Sequence, residues 1–149
     1  MLTSFLLPNR FQIIGWCLLL PTVILLIANG YYEYEIPWLA IEGIGDGEIF
    51  FSDIENFTNE LAVLGVFLSL FLIAFSKEKQ EDEYIQKLRL ESLLIAFYVY
   101  SAFLVLGTLV FYGLIYLEFL VLNLFLIQII FIARFRWVMY RQKKFHLAL

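Results

Sequence analysis

The chain has 149 residues, of which 62% are hydrophobic and only 16% are charged, against about a quarter charged in an average soluble domain. A soluble domain of this size could not bury that much apolar surface, because about 30% of the surface of the unfolded chain stays exposed after folding. The composition therefore excludes a soluble globular protein, and its 16 Phe and 3 Trp residues exclude a disordered one. The formal net charge of −4 combines an acidic loop with a basic C-terminal segment.

Four apolar runs are long enough to cross a hydrocarbon core about 30 Å thick, which takes about 17–25 helical residues. They predict membrane-spanning helices at 11–28, 59–76, 93–112 and 118–137. A membrane β-barrel alternates polar and apolar residues, whereas these runs are apolar at almost every position, and only a helix pairs all its backbone groups within one such run. We expect one all-α membrane domain, 1–149, with four transmembrane helices.

The basic residues predict the orientation of these helices. Of the ten basic residues, one lies before the first run, four lie between the second and third runs, and five lie at the end of the fourth run or after it. Because cytoplasmic loops of membrane proteins are enriched in Lys and Arg, both termini and the middle loop are expected in the cytoplasm. The loop over 29–60 carries eight acidic residues and no basic one, so it is expected to be a short acidic outer loop.

The first run is expected to remain as a span rather than to be cleaved as a signal peptide, because it is long and Pro21 interrupts it. In the outer loop, Trp38–Ile41 and Glu48–Phe51 flank a Gly-rich stretch, which predicts either a short hairpin or two interfacial segments joined by a turn. A cap at the membrane interface is the favoured interpretation. A bound cation at Asp46 and Glu48, without EF-hand spacing, and recognition of an external partner are the alternatives.

The second run contains a pair of small residues, Gly65 and Ser69, separated by three positions. Such a pair allows two membrane helices to approach closely. The pair predicts either a contact within the protein or a seam between copies in a homo-oligomer.

The middle loop, residues 77–91, has the pattern of a helix that continues into the third span. Acidic residues at its start suit a helix N-terminus, and Glu83 and Lys87 are spaced for a favourable i,i+4 pair. One interpretation is a solvated extension of the helix; the other is a surface on which a cytoplasmic protein docks. The candidate partner surface comprises Glu81, Asp82, Glu83, Tyr84, Ile85, Lys87, Leu88 and Arg89.

Polar residues inside the third and fourth runs form a candidate intramembrane polar cluster. Polar groups are costly against lipid, so these are expected to point into the bundle. Hydrogen bonding between helices, worth about 0.6 kcal/mol per pair, is the plain explanation, and a path for ions or a small solute through a homo-oligomer is the alternative. The cluster comprises Tyr98, Ser101, Thr108, Glu118, Asn123 and Gln128.

The end of the chain combines basic and aromatic residues, which is typical of a segment anchored in lipid headgroups. Each basic residue near an anionic leaflet contributes about 1 kcal/mol. The anchor residues are Arg134, Arg136, Trp137, Arg141, Lys143 and Lys144. Nucleic-acid binding is not expected, because the segment is short and continues a membrane helix.

No enzyme motif occurs in the sequence. The single Cys excludes an internal disulfide and a Cys-based metal cluster, and the single His argues against a His-rich metal or proton-relay site. The Ser/His/Asp sets and Gly-rich phosphate loops of common enzymes are absent. We therefore expect no catalytic residues, no cofactor and no metal ion.

The stretch FSKEKQEDEYIQKLRLES, residues 75–92, followed by the third and fourth runs up to RFRWVMY, residues 134–140, resembles uncharacterised small four-span inner-membrane proteins of Bacteroidota. The resemblance covers about half the chain and leaves out the outer loop. It implies a bacterial inner-membrane location. Such proteins are similar to small membrane proteins encoded beside helix-turn-helix regulators, which implies a cytoplasmic docking role and supplies no catalytic residues.

Two functional hypotheses follow. The first is a non-catalytic membrane anchor or regulatory partner that binds a cytoplasmic protein through residues 77–91. The second is a homo-oligomeric channel or transport component that uses the polar faces of the third and fourth helices.

Overall fold

The structure is a computed structural model that describes residues 6–42, 54–79 and 82–146. Four helices dominate it. They are α1 (Arg10–Tyr32), α2 (Thr58–Phe75), α3 (Glu83–Val110) and α4 (Leu114–His146), with a short 3-10 helix (Pro37–Leu39) and two strands, β1 (Ala40–Glu42) and β2 (Ile54–Asn56), between α1 and α2. All four α-helices are long and apolar enough to cross a membrane. This confirms the predicted all-α class with four candidate spans in a multi-pass membrane protein.

The helices differ from the predicted spans mainly at their ends. The first helix does not stop at residue 28 but continues to Tyr32, and it ends where Glu33 adopts a left-handed backbone with φ 49°. The prediction ended at Asn29 and Gly30, which lower helix propensity. Neither residue removes a backbone hydrogen-bond donor, so the helix continues through both. The second helix agrees with its prediction within one residue at each end.

The turn between the last two helices is tighter than expected. The third helix ends at Val110 rather than 112, and α4 begins at Leu114 rather than 118. Gly113 has a φ of +66°, a left-handed conformation that glycine adopts without steric cost. A single glycine therefore reverses the chain, and the residues that follow it join the helix.

The helices form two antiparallel hairpins that meet along α2 and α4. The α1 helix packs on α2, α3 packs on α4, and a smaller contact joins α2 to α4. One buried cluster joins all three of the later helices, with Ala74, Leu88, Ala96, Phe131 and Phe135 as its members. A second cluster, formed by Val66, Leu70 and Phe125, joins α2 to α4 deeper in the bundle.

Small residues bring α1 and α2 into close contact. Gly15 is buried, and a Cβ atom placed on it would lie 3.0 Å from the carbonyl oxygen of Ser69. A Cβ atom on Gly65 would lie 2.5 Å from the Cγ2 atom of Thr22. The pair of Gly65 and Ser69 is therefore an internal contact between α1 and α2, the first of the two interpretations drawn from its spacing.

The described part of the 29–60 loop is a small cap on the bundle. Strands β1 and β2 pair antiparallel, with Ala40 opposite Asn56. The Thr58 hydroxyl accepts a hydrogen bond from the backbone N–H of Ile36 at 2.9 Å, and the Asn56 amide donates to the Ile36 carbonyl at 3.2 Å. A hairpin-like pairing is thus present, but its second strand is Ile54–Asn56, and the predicted arm Glu48–Phe51 lies outside the described residues.

The packing of α1 on α2 predicts that Gly15→Leu destabilises the protein by about 1–3 kcal/mol, the usual cost of overpacking a close contact. Unfolding in mixed micelles with increasing SDS measures this loss. Gly30→Leu is the matched control, because no atom lies within 4 Å of a Cβ at that position. Equal stability of the two variants would contradict the observed helix contact.

Candidate interaction site at the basic end of the bundle

The start of α1 and the end of α2 meet at one end of the bundle. Leu7 forms a parallel bridge with Ser76, in which its N–H donates to the Phe75 carbonyl at 3.0 Å and its carbonyl accepts from the Lys77 N–H at 2.8 Å. The Asn9 amide donates to the Lys77 carbonyl at 2.7 Å. We call this the basic end, because it gathers the basic residues whose side chains the structure describes, which are Arg10, Lys77, Lys79, Lys87, Arg89, Arg134, Arg136 and Arg141.

At the basic end, α3 and α4 extend beyond their apolar segments into charged segments. Arg134 of α4 donates to the Glu91 carbonyl of α3 at 3.4 Å, so the charged segments at this end of the two helices begin at the same height. The α4 helix has 33 residues, a length of about 50 Å, whereas about 20 residues cross the hydrocarbon core. Residues 83–91 and 134–146 therefore form a projection from the basic end, which we call the two-helix stalk.

The interior of the two-helix stalk is apolar. Leu88 is only 4% exposed and Ile85 is partly buried against the same cluster, where they meet Phe135 and Met139. Tyr84 keeps 49% of its surface exposed, and its hydroxyl accepts a hydrogen bond from the Gln142 amide. Two apolar residues of the candidate partner surface, Ile85 and Leu88, are thus occupied by packing against α4.

Arg89 connects α3 to α2 and α4. Its Nη1 donates to the Ala74 carbonyl at 2.9 Å and its Nη2 to the Ser76 carbonyl at 3.3 Å. The guanidinium also lies over the Phe135 ring, 4.8 Å from its centroid. The last carbonyls of a helix have no partner within the helix, and a cation is favourable at a helix C-terminus. Arg89 therefore acts inside the protein, as a clamp on the end of α2.

Glu78 makes a second connection at the basic end. Its Oε1 accepts from the Gln12 amide at 2.9 Å and lies 3.5 Å from the Arg136 Nη2. The Arg136 side chain is 40% exposed, so the ion pair is worth at most about 1 kcal/mol. Nothing in the sequence pattern indicated this link, because its partners are more than 50 residues apart along the chain.

The rest of the candidate partner surface is exposed to solvent. Asp82, Glu83 and Lys87 are exposed on α3, next to the half-exposed Tyr84. Glu81 lies outside the described residues. The surface available to a partner is therefore small, mixed in charge and acidic at its tip.

The candidate headgroup anchor lies along the outer part of α4. Trp137 is 58% exposed, and the Arg141 guanidinium lies 4.8 Å from the centroid of its ring. Arg134 and Arg136 are partly buried through their contacts with Glu91 and Glu78. The backbones of Lys143 and Lys144 belong to α4, but their side chains lie outside the described part of the structure.

The structure does not bring the six members of the intramembrane polar cluster together. On α3, Tyr98 is 69% exposed, Ser101 is partly buried, and Thr108 donates to the Leu104 carbonyl of its own helix at 2.8 Å. Glu118 is exposed near the opposite end. Asn123 and Gln128 are 3% and 7% exposed on α4. Tyr98 and Thr108 therefore do not point into the bundle, contrary to the expectation, whereas the exposure of Glu118 agrees with its place at the end of the fourth run.

The side-chain oxygens of the two buried amides of α4, Asn123 and Gln128, both lack a hydrogen-bond partner among the described residues. The Asn123 Nδ2 donates to the Phe119 carbonyl of its own helix at 3.1 Å. The Oε1 of Gln128 has no hydrogen-bond partner among the described residues, and Gln128 lines a cavity between α2, α3 and α4. The two amides therefore make no hydrogen bond across helices in the described structure.

Comparison with known protein families, with curated proteins and with solved structures finds no match to this chain.

The contacts of Arg89 predict that Arg89→Met lowers the free energy of unfolding by about 1.5–3 kcal/mol, because the charged hydrogen bonds to the end of α2 are lost while the aliphatic stem is kept. The same unfolding assay in mixed micelles measures it. Lys87→Met removes an equal charge from an exposed position and is expected to change stability by less than about 0.5 kcal/mol. A loss as large in the Lys87 variant would show that the clamp is not the cause.

Proposed function

We propose that this protein is a non-catalytic membrane anchor or regulatory partner that presents the two-helix stalk to a cytoplasmic protein. In this proposal it lies in a bacterial inner membrane, with both termini and the stalk on the cytoplasmic side and the acidic 29–60 loop outside. The orientation rests on the segregation of basic residues, and the bacterial location rests on the sequence resemblance alone.

The observation that carries the proposal is the stalk itself. A connection between two spans needs only a few residues, yet α3 and α4 extend together from the basic end and are packed by Ile85, Leu88 and Phe135. Contacts with Gln142 and Glu91 hold them side by side. A prearranged surface of this kind binds a partner without first ordering a flexible segment, which lowers the entropic cost of binding.

The chemistry of the exposed surface defines the partner. Asp82 and Glu83 stand at the start of α3, followed by Tyr84 and Lys87. Acidic groups steer a basic partner surface toward the tip, and an exposed tyrosine supplies contact area with a polar end. We infer a partner with a basic patch beside a small apolar or aromatic surface.

The alternative function, a channel or transport component, receives less support. The exposed Tyr98 of α3 and the buried Asn123 and Gln128 of α4 lie on different surfaces. One copy of the described structure therefore does not form a continuous polar path along α3 and α4, and conduction would require polar faces from several copies to meet.

The proposed orientation predicts that reporters fused at the two ends of the chain are both protected in sealed right-side-out vesicles, and that a cysteine at residue 35 in a Cys17→Ser background reacts with an impermeant reagent. The comparison with a cysteine at residue 87 is the matched control. Labelling at residue 87 without labelling at residue 35 would show that the orientation is the reverse of the proposed one. Chain termini on opposite sides of the membrane would contradict an even number of spans.

The docking role predicts that a photoreactive residue at Lys87 crosslinks one defined protein in intact cells, while the same residue at Glu118, which is exposed at the opposite end, does not. Reversing the acidic tip with Asp82→Lys and Glu83→Lys is expected to reduce the crosslink at least about tenfold, the equivalent of about 1.4 kcal/mol. Charge reversal at the opposite end of the bundle, with Glu33→Lys and Glu35→Lys, serves as the control. A crosslink that survives the reversal of Asp82 and Glu83 would rule out this surface.

A further inference from the structure

The exposed side of α4 continues without a break from the apolar span into the two-helix stalk. Leu122 and Ile129 are exposed within the span, and Trp137 and Tyr140 are exposed within the stalk. The spacing of these four positions places them on one side of the helix. The side of α4 that faces lipid in the span is therefore the side that carries exposed aromatic residues in the stalk.

A cation without a charged partner lies beside these aromatic residues. The Arg141 side chain is exposed, and its guanidinium lies 4.8 Å from the centroid of the Trp137 ring. Arg141 makes no hydrogen bond or ion pair with any described residue. Stacking on a ring leaves the N–H donors of a guanidinium free to bind a phosphate through two hydrogen bonds. We call the set of Trp137, Tyr140 and Arg141 the aromatic-basic strip.

The contact with Trp137 fixes the depth of this cation. The α4 helix ends at the basic end, so its side chains, which lean toward the helix N-terminus, lean toward the membrane. The Arg141 guanidinium is accordingly held at the level of Trp137, about 5 Å beyond Arg134 along the helix axis. The headgroup region extends about 5–8 Å beyond the hydrocarbon core on each side, so the cation lies at headgroup depth.

The α3 side of the stalk has the opposite direction and a different charge. The α3 helix starts at the basic end, so its side chains lean away from the membrane. Its start carries the exposed Asp82 and Glu83. An anionic leaflet has a negative surface potential, which attracts basic groups and repels these two carboxylates. The stalk therefore has one side that suits an anionic leaflet and one side that does not.

We propose that the aromatic-basic strip binds the headgroups of an anionic leaflet, with the Arg141 guanidinium on a lipid phosphate. Two observations support this occupant: the strip extends the lipid-facing side of α4, and its cation has no charged partner in the described structure. The contact holds the α4 side of the stalk on the membrane surface and turns Asp82 and Glu83 toward water. It uses a different surface from the one proposed to bind a cytoplasmic protein and does not depend on that role.

The test compares how close the two sides of the stalk lie to lipid headgroups in the purified full-length protein. A fluorophore is attached to a cysteine at residue 140 or at residue 87 in a Cys17→Ser background, in vesicles that contain a lipid with a quencher on its headgroup. Residue 87 is the matched control. Because Glu91 is level with Arg134 and Tyr84 with Gln142, residue 87 is no farther along the stalk than residue 140.

The vesicles consist of phosphatidylcholine mixed with increasing fractions of phosphatidylglycerol. Quenching is expected to be stronger at residue 140 than at residue 87, and to rise with phosphatidylglycerol at residue 140 alone. Arg141→Gln is expected to raise the phosphatidylglycerol fraction for half-maximal quenching about fivefold, because one basic residue near an anionic leaflet contributes about 1 kcal/mol. Arg141→Lys keeps the charge and is expected to change this fraction less than about twofold.

Both substitutions change an exposed side chain, and circular dichroism and elution volume establish that each variant is folded. Equal quenching at residues 140 and 87 would overturn the proposal, and is the result expected if the strip instead serves a protein partner. Quenching at residue 140 that does not depend on phosphatidylglycerol, or an Arg141→Gln variant that behaves like the wild type, would overturn it as well.

Discussion

The structure depends on one constraint, that lipid offers no hydrogen-bond partner to a peptide group. Each of the four apolar runs must therefore satisfy its backbone within itself, which makes it a helix. A helix cannot meet this requirement by itself at its ends, because its last carbonyls have no hydrogen-bond partner within the helix. At the end of α2 the Arg89 guanidinium binds two such carbonyls, so the same requirement that forms the spans also connects α3 to α2.

The basic end combines several connections of this kind. The chain before α1 bonds to the residues after α2, and Glu78 contacts both Gln12 and Arg136. Each contact is modest, because surface ion pairs contribute at most about 1 kcal/mol. Together they join both hairpins at one level, beyond which α3 and α4 continue as the two-helix stalk. The proposed partner surface begins at this level, where Arg89 binds the end of α2.

The candidate residues differ in exposure because some lie on a helix face that packs against another helix and others do not. Ile85 and Leu88 share a face that packs on α4, whereas Glu83 and Lys87 share a face that does not. Likewise Gln128 is buried and lines a cavity between helices, while Tyr98 is exposed. A pattern of residues along one helix shows which side chains lie on the same face, but it does not show which face meets a neighbouring helix.

The sequence by itself determined the number and approximate position of the spans, the helical nature of residues 83–91 and the segregation of basic residues, because each is a property of a local run. It placed the start of α4 four residues too late, since the turn at Gly113 is set by one backbone conformation, and it left two interpretations open for Gly65 and Ser69. Only the tertiary structure decided that this pair meets α1, that Arg89 clamps α2 and that a cavity lies between α2, α3 and α4. Those features join residues far apart along the chain, and their distances follow from how the helices pack rather than from any spacing within one of them.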